Sequence, residues 1–256
     1  VVRAGVAQGM IRPPRFTTSS DARAHRWWGR RDPADPDAEA ALSLDEVLTA
    51  LGTRSGPCDR PGVQRIRQVI VSTRDVVGTV ARPGDFDRAF RPMRPVLRER
   101  WEGVARHLTS GAAMPPVSLT RVGRLYFVLD GHHRISVARA LGIDEVPAVV
   151  RAFCTTALAD AGLTRADLDR KTREREFLRT VPLPDAATGQ LRLDNLDDYH
   201  LLTSAARAWC VTNGLAAPDA LHLTQAAAAA WWHFDVRPAS NPRPAATYLT
   251  RKRTHI

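Results

Sequence analysis

Leu125-Tyr126-Phe127-Val128-Leu129-Asp130-Gly131-His132-His133-Arg134-Ile135-Ser136-Val137-Ala138-Arg139-Ala140-Leu141-Gly142 is the stretch that decides the fold. It opens with an apolar run that ends at Leu129, the pattern of a buried strand. Five small or polar residues follow, Asp130 to Arg134. Ile135, Val137, Ala138 and Leu141 then lie at helical spacing, and Gly142 is a helix stop. The spacing predicts a strand, a tight polar loop and a helix that begins near Arg134.

The flanks extend this unit in both directions. Met114-Pro115-Pro116 breaks the chain before Val117-Ser118-Leu119-Thr120, a strand joined to residues 125–129 by a turn at Val122-Gly123-Arg124. Val146-Pro147-Ala148-Val149-Val150 is a further strand. Residues 94–108 predict a helix with Val96, Leu97, Trp101, Val104 and Leu108 set among Arg and Glu. Val69-Ile70-Val71 predicts a short strand. Residues 76–86, with two glycines and a proline, read as irregular. Ser43-Leu44-Asp45-Glu46 has the residues of a capping box, and Gly52 closes the helix that follows it.

Beyond residue 157 the character changes. Residues 164–179 predict a charged helix ended by Pro182 and Pro184. Residues 197–213 and 218–234 predict two more, with Trp231-Trp232 as core. The expected class is therefore α/β (α+β), a small mixed-sheet domain followed by a mostly helical region. The expected divisions are a loosely packed arm at 1–40, the sheet domain at 41–152, the helical region at 153–238 and a basic tail at 239–256. Within the arm, Trp27 or Trp28 is expected to pack onto the domain. The tail, ending at Arg251-Lys252-Arg253, is expected to fray.

Composition narrows the class of function. Of 256 residues, 44% are hydrophobic and 25% charged, which is the balance of a globular chain. No apolar run approaches the ~20 residues that span a bilayer, so no membrane partner is expected. No signal-peptide pattern is present. Cys58, Cys154 and Cys210 are odd in number and far apart, without a CxxC pair. They support neither zinc nor a disulfide framework, and point to a reduced, cytoplasmic setting. The net charge of +10 suggests a polyanion such as DNA. Only Lys171 and Lys252 are lysines among the 37 basic residues, however, so the arginine excess is in part a GC-rich coding habit. Val1 reads either as a GTG start or as a fragment boundary. No feature sets an oligomeric state.

The polar loop carries the chemistry. A helix N-terminus presents unpaired N–H groups and partial positive charge, a ready anion site. Gly131 lets backbone approach a phosphate without a Cβ in the way. Arg134 can donate a bidentate fork to phosphate oxygens. His132 and His133 offer two more donors, or one general acid or base. Asp130 can orient a histidine, hold a metal ion or cap the helix.

Residues 117–150 resemble the core of the ParB/sulfiredoxin-like superfamily. The resemblance rests on the proline before a strand, the hairpin, Gly131-x-x-Arg134 opening a helix, Leu141-Gly142, and Val146-Pro147. Weaker similarity runs upstream from Trp101 through residues 85–90 to Gly78-Thr79-Val80, as in ParB-like proteins of actinobacterial type. It implies that the residues from Gly131 to Arg134, with Gly131, His133 and Arg134 as the cofactor contacts, meet nucleotide phosphates, whether ATP, ADP or CTP; in an enzyme, Asp130 would hold Mg²⁺ or orient a histidine. A serine-kinase variant of the superfamily matches Asp130, Gly131, His132 and Arg134. His132 stands where sulfiredoxin has its nucleophilic cysteine, which argues against that activity. The partition-type Gly-Glu-Arg-Arg and a helix-turn-helix signature are missing too.

Two functions follow as expectations. One is nucleotide-dependent phosphoryl transfer or hydrolysis. His132 and His133 would neutralise phosphate charge or act as polar catalysts, Asp130 would be their orienter, and Asp85 or Asp87 would be a candidate base. The other is a nucleotide-switched, DNA-binding module without turnover.

Overall fold

The computed structural model describes residues 27–28, 35, 38–53, 67–159, 162–236 and 244–254. Most of the expected arm at 1–40 lies outside these residues, as does part of the tail. The strands are β1 (Leu42–Ser43), β2 (Arg67–Ser72), β3 (Val76–Thr79), β4 (Val117–Val122), β5 (Leu125–Asp130) and β6 (Glu145–Phe153). They form one mixed sheet in the order β1-β3-β5-β4-β6-β2. The helices are α1 (Leu44–Leu51), α2 (Arg98–Thr109), α3 (His132–Leu141), α4 (Leu168–Thr180), α5 (Asp185–Thr188), α6 (Asp198–Thr212), α7 (Gln225–Trp231) and α8 (Pro244–Thr254). The expected α/β class with a helical C-terminal region is what forms.

The chain divides into two compact units. One holds residues 67–119 and 128–150 with the described residues up to 41. The other holds 120–127 and 151 onward, together with the segment that begins at Leu42. In the first unit, Trp101, Ala105 and Leu108 of α2 pack on Val137, Ala140 and Leu141 of α3. Trp27 and Trp28 join this cluster as expected. Trp28 meets Trp101 edge-on at 5.9 Å, and the Trp27 indole N–H donates to Ser136 Oγ at 3.3 Å. Arg139 of α3 donates to the carbonyls of Thr73, Val76 and Arg88 while lying over the Phe90 ring, which fixes α3 to the loops beside β3. In the second unit, α1 packs on α4, and Glu46 binds Arg165 at 2.7 Å. The same carboxylate accepts from Ser43 N–H at 3.3 Å, the reach-back of the expected capping box. That places α1 with the helical region, although the sequence grouped it with the sheet. Phe177, Tyr199 and Trp231 form an aromatic core there, and Lys171 and Glu174 make a buried ion pair at 2.9 Å.

Several expectations fail for physical reasons. Residues 76–79 are a strand, because Val76 and Val77 bury their side chains and Gly78 is accommodated in the pairing. The helix expected at 94–108 opens as a 3-10 turn at Pro95–Leu97, and Val96 stays 74% exposed. Residues 218–224 are not helical. Helix α7 starts only where the Thr224 hydroxyl accepts from Ala227 N–H, and a π turn at Trp232–Val236 follows it. The tail expected to fray carries α8, tied down by Tyr248 donating to Asp235 at 2.8 Å. Cys154 is disulfide-bonded, while Cys210 is a buried free thiol. A disulfide at Cys154 departs from the expectation that the cysteines support none. Among the described residues, no helix is long and apolar enough to cross a membrane.

Candidate functional site

The strand–loop–helix unit forms, with one change of register. Helix α3 begins at His132, two residues before the expected start, so both histidines occupy its first turn. Gly131 is the N-cap residue, at φ 101° and ψ 23°. This left-handed conformation favours glycine. A Cβ there would also lie 2.6 Å from Val117 Cγ1 and 3.1 Å from Arg134 Nε. The glycine is required by its neighbours as much as by any ligand. The first helical bond runs from Ile135 N–H to Gly131 O at 3.0 Å, and among the described residues no side chain caps the turn. Asp130 does not cap it, because it is the last residue of β5 and turns toward Arg134.

Arg134 is anchored from two sides. Its Nη1 donates to the carbonyls of Pro115 and Pro116, each at 2.8 Å, and Nη2 donates to Asp130 Oδ2 at 2.7 Å. A guanidinium has five N–H donors. Nε–H and one N–H on Nη2 therefore stay uncommitted among the described residues. The side chain is 20% exposed, so the guanidinium is held rigidly yet reachable.

The histidines differ from expectation. His132 is buried, its ring stacked on Phe86 at 5.8 Å, and its Nε2 lies 2.7 Å from Thr79 Oγ1. That hydroxyl already accepts from Ala81 N–H at 3.3 Å and Arg82 N–H at 3.0 Å. With both lone pairs taken, its O–H donates to Nε2, and His132 carries its proton on Nδ1. Burial, then the charges of Arg82 and His133, push the His132 pKa down to about 4. His133 meets Phe86 edge-on at 5.5 Å. Its pKa is pushed down to about 4 by burial first, then by Arg100 and Arg82; a hydrogen bond to the Leu97 backbone opposes this. Its Nε2 is buried without a partner among the described residues. Both rings are thus neutral near pH 7. Positive charge at the site comes from Arg82, Arg100, Arg134 and the helix end.

The remaining candidates are placed elsewhere. Asp130 orients neither histidine by a hydrogen bond; Thr79 holds His132 instead. Asp85 is paired with Arg94 at 3.2 Å and Arg82 at 3.7 Å. Asp87 is fully buried and accepts from Arg91 N–H and Nε, both at 2.7 Å. Both carboxylates are built into the loop between β3 and α2 rather than standing as bases. Among the described residues, no group of three or more His, Cys, Asp or Glu could hold a metal ion by itself. Thr79, Arg82, Arg100 and the carbonyls of Pro115 and Pro116 were not singled out from the sequence. Two of them are arginines hidden among many, and carbonyl roles leave no trace in residue type.

Replacing Thr79 by Val should test the tautomer. The change keeps shape but strands the N–H groups of Ala81 and Arg82 and the Nε2 of His132. A loss of about 1–3 kcal/mol of stability is expected in urea unfolding. The His132 ring ¹⁵N shifts should move away from a single Nδ1–H tautomer. Unchanged shifts would refute the assignment.

Residues 86–166 match the family model of the ParB N-terminal domain. The matched segment holds Phe86, α2, the β4–β5 hairpin, the polar loop and all of α3; Thr79 and Arg82 precede it. No curated protein and no solved structure matches the chain. Over residues 86–166, then, the chain is similar to a ParB N-terminal domain, consistent with a domain of the ParB/sulfiredoxin-like superfamily.

Proposed function

We propose that this protein binds the phosphates of a nucleotide at the first turn of α3. The observation that carries this reading is the combination of an uncapped helix N-terminus with a guanidinium fixed beside it, its Nε–H and one Nη2–H uncommitted. Such a turn offers N–H donors to an anion, and Arg134 adds a planar fork. Arg82 and Arg100 add positive charge nearby: Arg82 lowers the pKa of both histidines, and Arg100 lowers that of His133. Mg²⁺ fits as a companion of the nucleotide. Asp130 is exposed, its Oδ1 takes no hydrogen bond among the described residues, and Mg²⁺ is ordinarily held by one or two carboxylates with phosphate oxygens and water. When bound, the ion would neutralise phosphate charge.

Nucleotide binding without turnover agrees best with the geometry, because the two candidate bases on the β3–α2 loop are engaged by arginines. One observation favours phosphoryl transfer or hydrolysis as a second reading. The neutral His133 keeps a lone pair on Nε2 that no group among the described residues takes, which is what a proton acceptor requires. The basic surface of the +10 chain leaves DNA as a further partner of the binding reading.

A thermal-shift panel of ATP, ADP, CTP and GTP, with and without Mg²⁺, tests the premise. At least one nucleotide should raise the melting temperature by several degrees at 1 mM, and Arg134→Ala should abolish the shift while remaining folded. If no nucleotide shifts the wild type, the phosphate site is wrong. Turnover lost in His133→Asn would favour the enzyme. Steeply salt-dependent DNA binding without turnover would favour the module.

A further inference from the structure

Resting on that phosphate-site reading, we infer that Asp130 is a tethered competitor for the Arg134 clamp, and that it makes polyphosphate binding depend on a divalent cation. The guanidinium has three partners of two kinds. Pro115 O and Pro116 O are neutral and fix Nη1. Asp130 is the charged one, its Oδ2 sitting 2.7 Å from Nη2, the distance a phosphate oxygen would take. Its side chain is 70% exposed while that of Arg134 is 20% exposed. The cation is therefore held in place by the carbonyls, and the carboxylate is the part that can leave. An exposed pair of this kind is weak and easily broken.

The charge of the turn makes the competition matter. Arg134 is the guanidinium of the turn itself, and Asp130 pairs with it at 2.7 Å. The neighbouring acid, Asp85, is already neutralised by Arg82 and Arg94. On the same turn, the Nε2 of His133 is buried and has no partner among the described residues. An arriving polyphosphate meets a neutral pair and a carboxylate that repels it. It gains the full clamp once Asp130 has swung off and been neutralised by a cation shared with the phosphate. Without the cation, the like charges stay within a few ångströms of each other.

The experiment compares wild type, Asp130→Asn and Arg134→Ala with fluorescent ATP, ADP and CTP analogues, each in EDTA and in millimolar MgCl₂. In EDTA, Asp130→Asn should bind the preferred nucleotide about tenfold more tightly than wild type. Mg²⁺ should tighten wild type by about the same factor and leave Asp130→Asn nearly unchanged. Melting curves establish that each variant is folded. If Asp130→Asn binds no better than wild type in EDTA, or keeps the full Mg²⁺ response, Asp130 is no competitor and the inference is overturned. In that case wild-type binding that needs Arg134 still upholds the phosphate site. If no protein binds any nucleotide under either condition, the phosphate site falls and the inference falls with it.

Discussion

Gly131→Ala should destabilise the sheet unit by about 2–5 kcal/mol, more than a change of one methyl group at most loop positions. The left-handed conformation alone costs a non-glycine residue about 1–2 kcal/mol. Crowding adds to it, since the new Cβ would lie 2.6 Å from Val117 Cγ1 and 3.0 Å from Val117 Cβ. Val117 is fully buried at the start of β4 and has nowhere to retreat. Overpacking of this kind costs about 1–3 kcal/mol. Gly111 separates the two effects. It has φ 82°, yet a Cβ there meets nothing within 4 Å. Gly111→Ala should therefore show the conformational part alone, about 1–2 kcal/mol. Trimming Val117 to Ala should recover part of the loss in the Gly131→Ala background while destabilising the wild type. Urea unfolding of the four proteins gives the coupling. If Gly131→Ala unfolds no more easily than Gly111→Ala, contact with Val117 does not constrain the turn.

The same turn shows what the residues disclose before folding. The switch from an apolar strand to a helical stripe between Leu129 and Ile135 was legible, because both periods are local. So were the polar loop, the hairpin at Gly123 and the Trp27–Trp28 docking, since paired tryptophans in an otherwise polar segment need apolar cover. The true start of α3 was not legible. Histidine is a poor signal for a first helical turn, and what fixes that turn is the distant Thr79 hydroxyl. Strand β3 was hidden by Gly78 and the nearby Pro83, and it forms because the sheet buries Val76 and Val77.

The charges of the site are not legible in residue type, for a deeper reason. A histidine in a polar motif suggests an exposed, titrating group, but whether it is charged depends on burial and on neighbours brought from far along the chain. Phe86, Arg82 and Arg100 settle that question here, and none is adjacent in sequence. Asp85 and Asp87 show the converse, since acids in an irregular segment resembled free carboxylates until folding set arginines on them. Residue type singles out the polar turn; protonation and pairing come from tertiary structure.

Acidification should therefore weaken the fold well before the carboxylates titrate. His132 and His133 have folded pKa values of about 4 against an ordinary 6.5. A depressed folded value means that the unfolded chain takes up protons first, so stability falls with falling pH wherever the two states differ. The contribution is fully present above about pH 6.5, shrinks through the window from 6.5 to 4, and is gone below it. At about 1.4 kcal/mol per unit, each histidine accounts for roughly 3 kcal/mol. Asp167 acts in a separate, lower window. Burial works against its charged form, but hydrogen bonds from Arg170 and Thr164 hold its pKa at about 2, so its share is lost only below about pH 4. Urea unfolding at pH 7, 6, 5 and 4.5 should show the midpoint falling steeply for the wild type. His133→Asn should flatten the profile by about half while lowering stability at pH 7. A wild-type midpoint that holds steady down to pH 5 would mean that the histidines are solvated and charged. The neutral, Thr79-anchored turn would then be wrong.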